Sequence, residues 1–311
     1  MPPEIVALGE PMLEFNAAEE GTLAEARGFL VGWGGDTSNF VVAAARLGGR
    51  AGYFTRLGDD EFAESFLKLW RDEGVDASRV VKDPKAFTGI YFISRKGGDH
   101  YFTYFRRGSA ASLMTPDDLP ADYIRGARLL HVSGISQAIS LSACDTVFTA
   151  VALAREAGVL VCYDPNLRLK LWPLSRARAI IHQTAAQADL VLPSLEDARQ
   201  LTGLEAPEDL GRFYLDLGPR IVVVKLGAEG ALLATPAGIE RFPGFKVQAI
   251  DTSGAGDAFD AAFAVGHLAG WPLERCVRFA NAAGALTSTG LGVVGAIPRR
   301  PQVEALLAQE V

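Results

Sequence analysis

Short apolar runs alternate with segments of helical period along nearly the whole chain, and that alternation leaves few folds open. Strand-like runs fall at 5–8, 51–56, 129–133, 159–164, 190–193 and 221–226. Helical patterns occupy 37–47, 60–73, 141–157, 175–187, 195–202, 208–217, 258–269, 272–288 and 301–308. Asp36 and Ser140 stand where caps belong, and Gly48, Gly74 and Gly158 where helices stop. Strands alternating with helices over most of the chain imply βαβ units, hence an α/β fold around a largely parallel sheet, although the last long helices follow one another without a strand. Two segments, 15–33 and 87–106, read as β and break the pattern. In the second, Tyr91, Phe92, Tyr101, Phe102, Tyr104 and Phe105 flank a turn at Lys96, Gly97, Gly98 and Asp99. Such a hairpin either covers a site at the end of the sheet or extends the sheet edge. One compact domain over 1–311 with an excursion is expected.

Composition narrows the partners. With 311 residues, 49% of them hydrophobic, the chain can bury a substantial core. A formal net charge of -7, with Lys and Arg dispersed, argues against a nucleic-acid partner. No apolar window approaches the length that crosses a bilayer, and MPPEIVALGE has no basic segment leading into an apolar stretch. No membrane partner and a cytoplasmic location are therefore expected. Cys144, Cys162 and Cys276 form no CxxC pair, and the four histidines show no HxxxH or HExxH spacing. Neither a disulfide framework nor a transition-metal site is suggested.

The chemistry concentrates in DTSGAGDAF, Asp251 to Phe259. Gly254 and Gly256 free the backbone to turn its N–H groups onto an anion, and the apolar run that follows is a helix whose N-terminus adds positive potential. Asp257, in the first turn, could take a proton from a hydroxyl attacking a phosphoryl group. An Asp in a first turn also stabilises a helix with no ligand at all, so this motif alone leaves both readings open. Gly34-Gly35-Asp36-Thr37-Ser38-Asn39, at another helix start, suits sugar hydroxyls or simple capping. Arg106 and Arg107 leave the aromatic hairpin, and Arg168 follows Asp164-Pro165-Asn166 at a strand end, where open α/β sheets bind ligands. Guanidinium groups so placed favour an acidic substrate. Gly290-Leu291-Gly292-Val293-Val294-Gly295 fits GxGxxG but follows a helix, so the dinucleotide reading fails, and no GK[ST] phosphate loop is present. Lys225-Leu226-Gly227 with Glu229-Gly230 is either a nucleotide-side turn or an ordinary β-turn.

Together, GGDTSN and DTSGAGDAF resemble the two signatures of the ribokinase-like, or PfkB-type, carbohydrate kinases, and the resemblance spans essentially the whole chain. It implies a three-layer α/β sandwich with a small β-sheet lid from segments near 12–33 and 87–107, and ATP and Mg²⁺ as cofactors. It also implies Asp257 as base and the backbone N–H groups of Gly254, Ala255, Gly256 and Asp257 as an anion hole. Gly34, Gly35, Asp36 and Asn39 would line the sugar; Ser194, Lys225, Gly227, Gly230 and Asn281 would lie by the nucleotide. Asp251 and Thr252, with the turn at 288–292, match the K⁺ site of many relatives. YFRRGSAAS, LHVSGISQAIS and YDPNLRLKLWP are most similar to 2-keto-3-deoxygluconate kinases, which implies Tyr91, Tyr104, Arg106 and Arg168 against a sugar acid phosphorylated on its 6-hydroxyl. Where many members carry Asn-x-x-Glu, this chain has Ser194-Leu195-Glu196-Asp197, leaving Asp197 to support Mg²⁺ through water. DPNLR and the following Trp-Pro also resemble fructokinases, the nearest alternative; a nucleoside kinase would prefer an aromatic, neutral pocket. A non-catalytic sugar-binding protein on the same fold is the alternative of another class. Relatives associate through their lids, which implies a dimer or a multiple of one.

Overall fold

The computed structural model describes residues 2–97 and 99–310, so Gly98 of the expected hairpin turn lies outside the described residues. Eight strands form the main sheet in the order Gly238–Phe242, Ala231–Thr235, Ile221–Lys225, Leu190–Val191, Leu160–Asp164, Leu129–Ser133, Ile5–Leu8, Ala51–Phe54. From Ile221–Lys225 to Ala51–Phe54 every pairing is parallel, and the first two strands close one edge as an antiparallel hairpin. The sheet runs through the middle of the molecule because successive strand residues serve opposite layers. Ile5, Ala7, Leu129 and Val223 join one buried cluster with Phe40, Phe263 and Phe279, whereas Val6, Leu8, Leu130, Val132, Val222 and Val224 join another with Val147, Ile181 and Tyr214. Period-two alternation between two apolar faces is what a sheet covered by helices on both sides requires.

Helix ends follow local chemistry. The side chains of Asp60 and Ser140 accept the N–H groups of Ala63 and Ala143 at 2.9 and 3.0 Å, starting Glu61–Asp72 and Leu141–Glu156. At the two glycine motifs the helix starts differ from the sequence reading. Asp36 is the first residue of the helix Asp36–Arg46 rather than its cap, and the helix expected from 258 begins three residues earlier, as Ala255–Leu268. The antiparallel hairpin 231–242 was not anticipated, because ALLATPAGIERF lacks a strong alternation.

The excursion is a second sheet, in the order Phe29–Gly34, Met12–Ala17, Ile90–Lys96, Asp99–Phe105. Only the ends of the segment 15–33 are strand; the chain between Ala17 and Phe29 is turn and irregular structure. On one face Phe15 stacks on Phe92 with ring centroids 5.1 Å apart and meets Phe62 edge-on, anchoring the sheet to the helix Glu61–Asp72. The other face presents Tyr91, Phe102 and Tyr104, stacked 5.6 to 6.4 Å apart. No helix among the described residues is long and apolar enough to cross a membrane. All three cysteines are free and buried.

Candidate active site

The site lies at the carboxyl ends of the parallel strands. The first strand, Ile5–Leu8, lies between Ala51–Phe54 on one side and Leu129–Ser133 on the other, so the strand order reverses direction across the sheet there, and such a switch point opens a crevice. Glu10, Ser133, Asp164 and Lys225 end or follow four of these strands, and the helices Asp36–Arg46 and Ala255–Leu268 aim their N-termini at the same place.

Backbone geometry explains the glycines of both motifs. Gly35 has φ of 101°, and a Cβ there would stand 2.3 Å from the carbonyl oxygen of Glu10. Gly254 has φ of 75°, and its Cβ would meet Val293 at 2.4 Å. Both turns are therefore closed to other residues. They bring GGDTSN and DTSGAGDAF into contact: the Asn39 amide donates to the Asp257 carboxylate at 2.7 Å across 218 positions of sequence. The side-chain oxygen of Asn39 is buried without a partner and can accept from a hydroxyl.

Asp36 accepts hydrogen bonds from the Ser133 hydroxyl, from the Asn166 amide at 3.0 Å and from the Thr37 N–H at 2.8 Å. Burial raises its pKa against these bonds. Asp257 is pushed up to about 7, chiefly by burial and then by the charge of Asp36, with the Asn39 bond opposing. A carboxylate poised near neutrality beside an anion-binding helix start can remove a proton from a hydroxyl.

The expected acid-binding residues converge, with partners that sequence reasoning missed. Arg106 pairs with Glu10, whose side chain is fully buried, and Ser109 donates to the other Glu10 oxygen at 3.0 Å. Arg106 also sits 5.6 Å above the Tyr104 ring, and its Nε is buried without a partner. The Tyr91 hydroxyl donates to Glu14 at 2.5 Å and fills the space a side chain at Gly34 would need. Arg168 is exposed, bonds the Leu167 carbonyl at 2.8 Å and has no carboxylate partner among the described residues. Its charge nevertheless acts on Asp36, Tyr104 and Asp197. Glu10 was legible only as the residue just beyond the first strand.

On the opposite side, Ser194 caps the helix Leu195–Thr202 by accepting the Asp197 N–H at 3.1 Å. Burial, then the charge of Asp164, raises the pKa of Asp197. Gly230 has φ of 100° and packs its α-carbon against the Phe242 carbonyl, which also receives the Asn281 amide; that amide reaches the Pro243 carbonyl as well. Gly227 opens the same turn. The Lys225 side chain points elsewhere: its Nζ is 3.1 Å from Asp164 and 3.0 Å from both oxygens of Asp260. Asp251 accepts the N–H groups of Ser253 and Gly292 at 2.9 and 3.3 Å, and the Thr252 carbonyl accepts that of Ala255, so this segment and the turn at 288–292 are joined. No cluster of three or more His, Cys, Asp or Glu side chains arranged to hold a metal occurs among the described residues.

Comparison with known proteins agrees with this geometry. The chain is 36% identical to the 2-dehydro-3-deoxygluconokinase of Bacillus subtilis, over 99% of this chain and 96% of that protein. It is also 36% identical to fructokinase-1 of Zea mays, over 97% of each. Among solved structures it resembles a PfkB protein from Polaromonas sp. JS666, with a TM-score of 0.90 at 36% identity over 97% of this chain and 99% of that one. It also resembles the Vibrio cholerae O395 fructokinase bound to fructose, ADP and a calcium ion, with a TM-score of 0.86 at 31% identity over 98% and 99%. The model of the pfkB family carbohydrate kinases matches residues 2–300, and the chain belongs to that family.

Proposed function

We propose that this kinase transfers the γ-phosphoryl group of ATP to the 6-hydroxyl of 2-keto-3-deoxygluconate, with Asp257 as base and with Mg²⁺, which would be supported by Asp197, offsetting the charge of the phosphates. The observation that carries the sugar-acid reading is Arg168, a cation without a carboxylate partner among the described residues, across from Arg106 with its unpartnered Nε. A substrate carboxylate supplies the missing charge; a neutral ketose does not. Asp36 and Asn39 offer the acceptors that sugar hydroxyls need. The N–H groups of Gly254, Gly256 and Asp257 would receive the charge that develops on the transferred group, that of Ala255 being taken by the Thr252 carbonyl, so positioning and fixed dipoles do most of the catalysis. The nucleotide would lie along Ser194 and the turn from Gly227 to Gly230, with Asp197 supporting Mg²⁺ through water. Adenine nucleotide and a divalent cation in the Vibrio cholerae relative support that side of the site. K⁺ would sit between Asp251, Thr252 and the turn at 288–292, where replacing potassium by a bulky organic cation should slow turnover. Use of ATP suits a cytoplasmic enzyme, and we take the chain as one kinase domain.

Fructose phosphorylation is the second reading, favoured by Glu10, which already neutralises much of Arg106, and by the equal similarity to a plant fructokinase. Retention of Asp257 and both glycines opposes a non-catalytic sensor.

Replacing Asp257 by Asn should lower kcat about a hundredfold or more with little change in substrate Kd, read by a coupled ATP assay and by calorimetry. Its folded pKa, about 7, exceeds the ordinary carboxylate value, so ionisation costs stability as pH rises through 7. The Asn variant should therefore melt no lower than wild type at pH 8, and wild-type kcat/KM should fall below about pH 7. Arg168→Ala should raise KM for the deoxyketo acid by about tenfold or more while leaving fructose use unchanged. Better use of fructose than of the acid by the wild type would reject the sugar-acid reading. Exposed Val31, Tyr101 and Phe105 on the lid favour pairing with a second copy. Light scattering should give at least twice the chain mass; a monomer at micromolar concentration would count against it.

A further inference from the structure

Lys225 has no role in the chemistry described so far, yet it is the most tightly held charge in the site. Its ammonium stands between Asp164, at the end of one parallel strand, and Asp260, one helical turn beyond Asp257. All three side chains are almost fully withdrawn from water, with exposures of 11%, 7% and 1%. A Cβ on Gly256 would lie 3.6 Å from the ammonium, so Lys225 sits directly beneath the glycine turn. Asp164 also accepts the N–H of Asn166, and Asn166 donates to Asp36. One polar chain therefore runs from the helix of Asp257 through Lys225 to the side chain of Asp36.

We propose that Asp164, Lys225 and Asp260 form a positioning cluster that holds the glycine turn against the substrate loop and sets a positive charge beside Asp257. The proposal rests on Asp257 being the base. The alternative, a nucleotide contact through the Lys225 side chain, would require that ammonium to leave two buried carboxylates unpaired, which is costly. Asp257 is faced by Asp36 from one helix, by Asp164 and Lys225 from two strand ends and by Asp260 from its own helix, with Arg168 beyond Asp36. Asp36 and Asp164 oppose ionisation of Asp257, and Lys225 favours it. Asp260 is itself held well above the ordinary carboxylate range, by burial and by Asp164, despite Lys225.

The test is the pH dependence of kcat/KM for the Lys225→Met and Asp164→Asn enzymes, with KM for ATP measured beside it. Loss of the lysine charge should move the acid limb upward by on the order of one pH unit and leave KM for ATP within about twofold. Asp164→Asn is nearly isosteric, keeps the lysine and removes an ionised neighbour that opposes ionisation of Asp257, so the limb should move the opposite way even if the Met enzyme does not fold. Unmoved limbs would overturn the proposal, as would a large rise in KM for ATP in the Met enzyme. A structural defect alone would lower kcat without moving the limb. If Asp257→Asn keeps normal turnover, the assignment of the base fails; if that variant is inactive and the limbs stay put, only the role of the cluster fails.

Discussion

Four carboxylates, those of Asp36, Asp164, Asp257 and Asp260, meet out of water at the carboxyl ends of the main sheet, with the ammonium of Lys225 among them. Bringing so much like charge together is unfavourable unless every group is paired, hydrogen-bonded or left protonated. The chain uses all three devices. Asp164 is held below the ordinary carboxylate range: burial raises it, but Lys225, Asp260 and His131 together outweigh burial. Asp36 takes three hydrogen bonds, and Asp257 keeps one bond from Asn39 and a pKa shifted toward neutrality. The shift that makes Asp257 costly to ionise is also what suits it to proton transfer near neutral pH.

The layered fold makes this crowding possible. Strands buried on both faces give a rigid frame, and parallel order puts all their carboxyl ends on one side. Two helices then add their N-termini, whose dipoles favour the negative charge of a substrate or nucleotide. The second sheet is anchored to the helix Glu61–Asp72 through Phe15 and Phe62, so the pocket is shaped by residues far apart in the chain. On the proposed reading, selectivity among sugars would depend on the same electrostatics: Glu10 offsets Arg106, and the net attraction for a carboxylate would fall mainly to Arg168.

Much of this was legible in the sequence because it is local. Apolar alternation marks strands such as 129–133 and 221–225, and the two glycine motifs mark the helix starts whose positive φ values the backbone requires. What could not be read is what distant residues do to one another. Lys225 looked like part of a nucleotide turn, and nothing near it in the chain reveals Asp164 and Asp260. Arg106 looked like a free clamp, because its partner Glu10 lies 96 residues away. Asn281, set by the nucleotide through the resemblance, gives no sign in its own helix of the Phe242 and Pro243 carbonyls that its amide reaches. Asp260 left one hint, since it falls three residues after Asp257 on the same helix.

The ionisation of Asp257 can be followed directly by NMR in enzyme labelled at aspartate carboxyl carbons, with the Asp257→Asn variant identifying its signal. A titration midpoint near 7 in the free enzyme is expected. A midpoint at the ordinary value of about 4 would contradict a buried base raised by burial and its carboxylate neighbours.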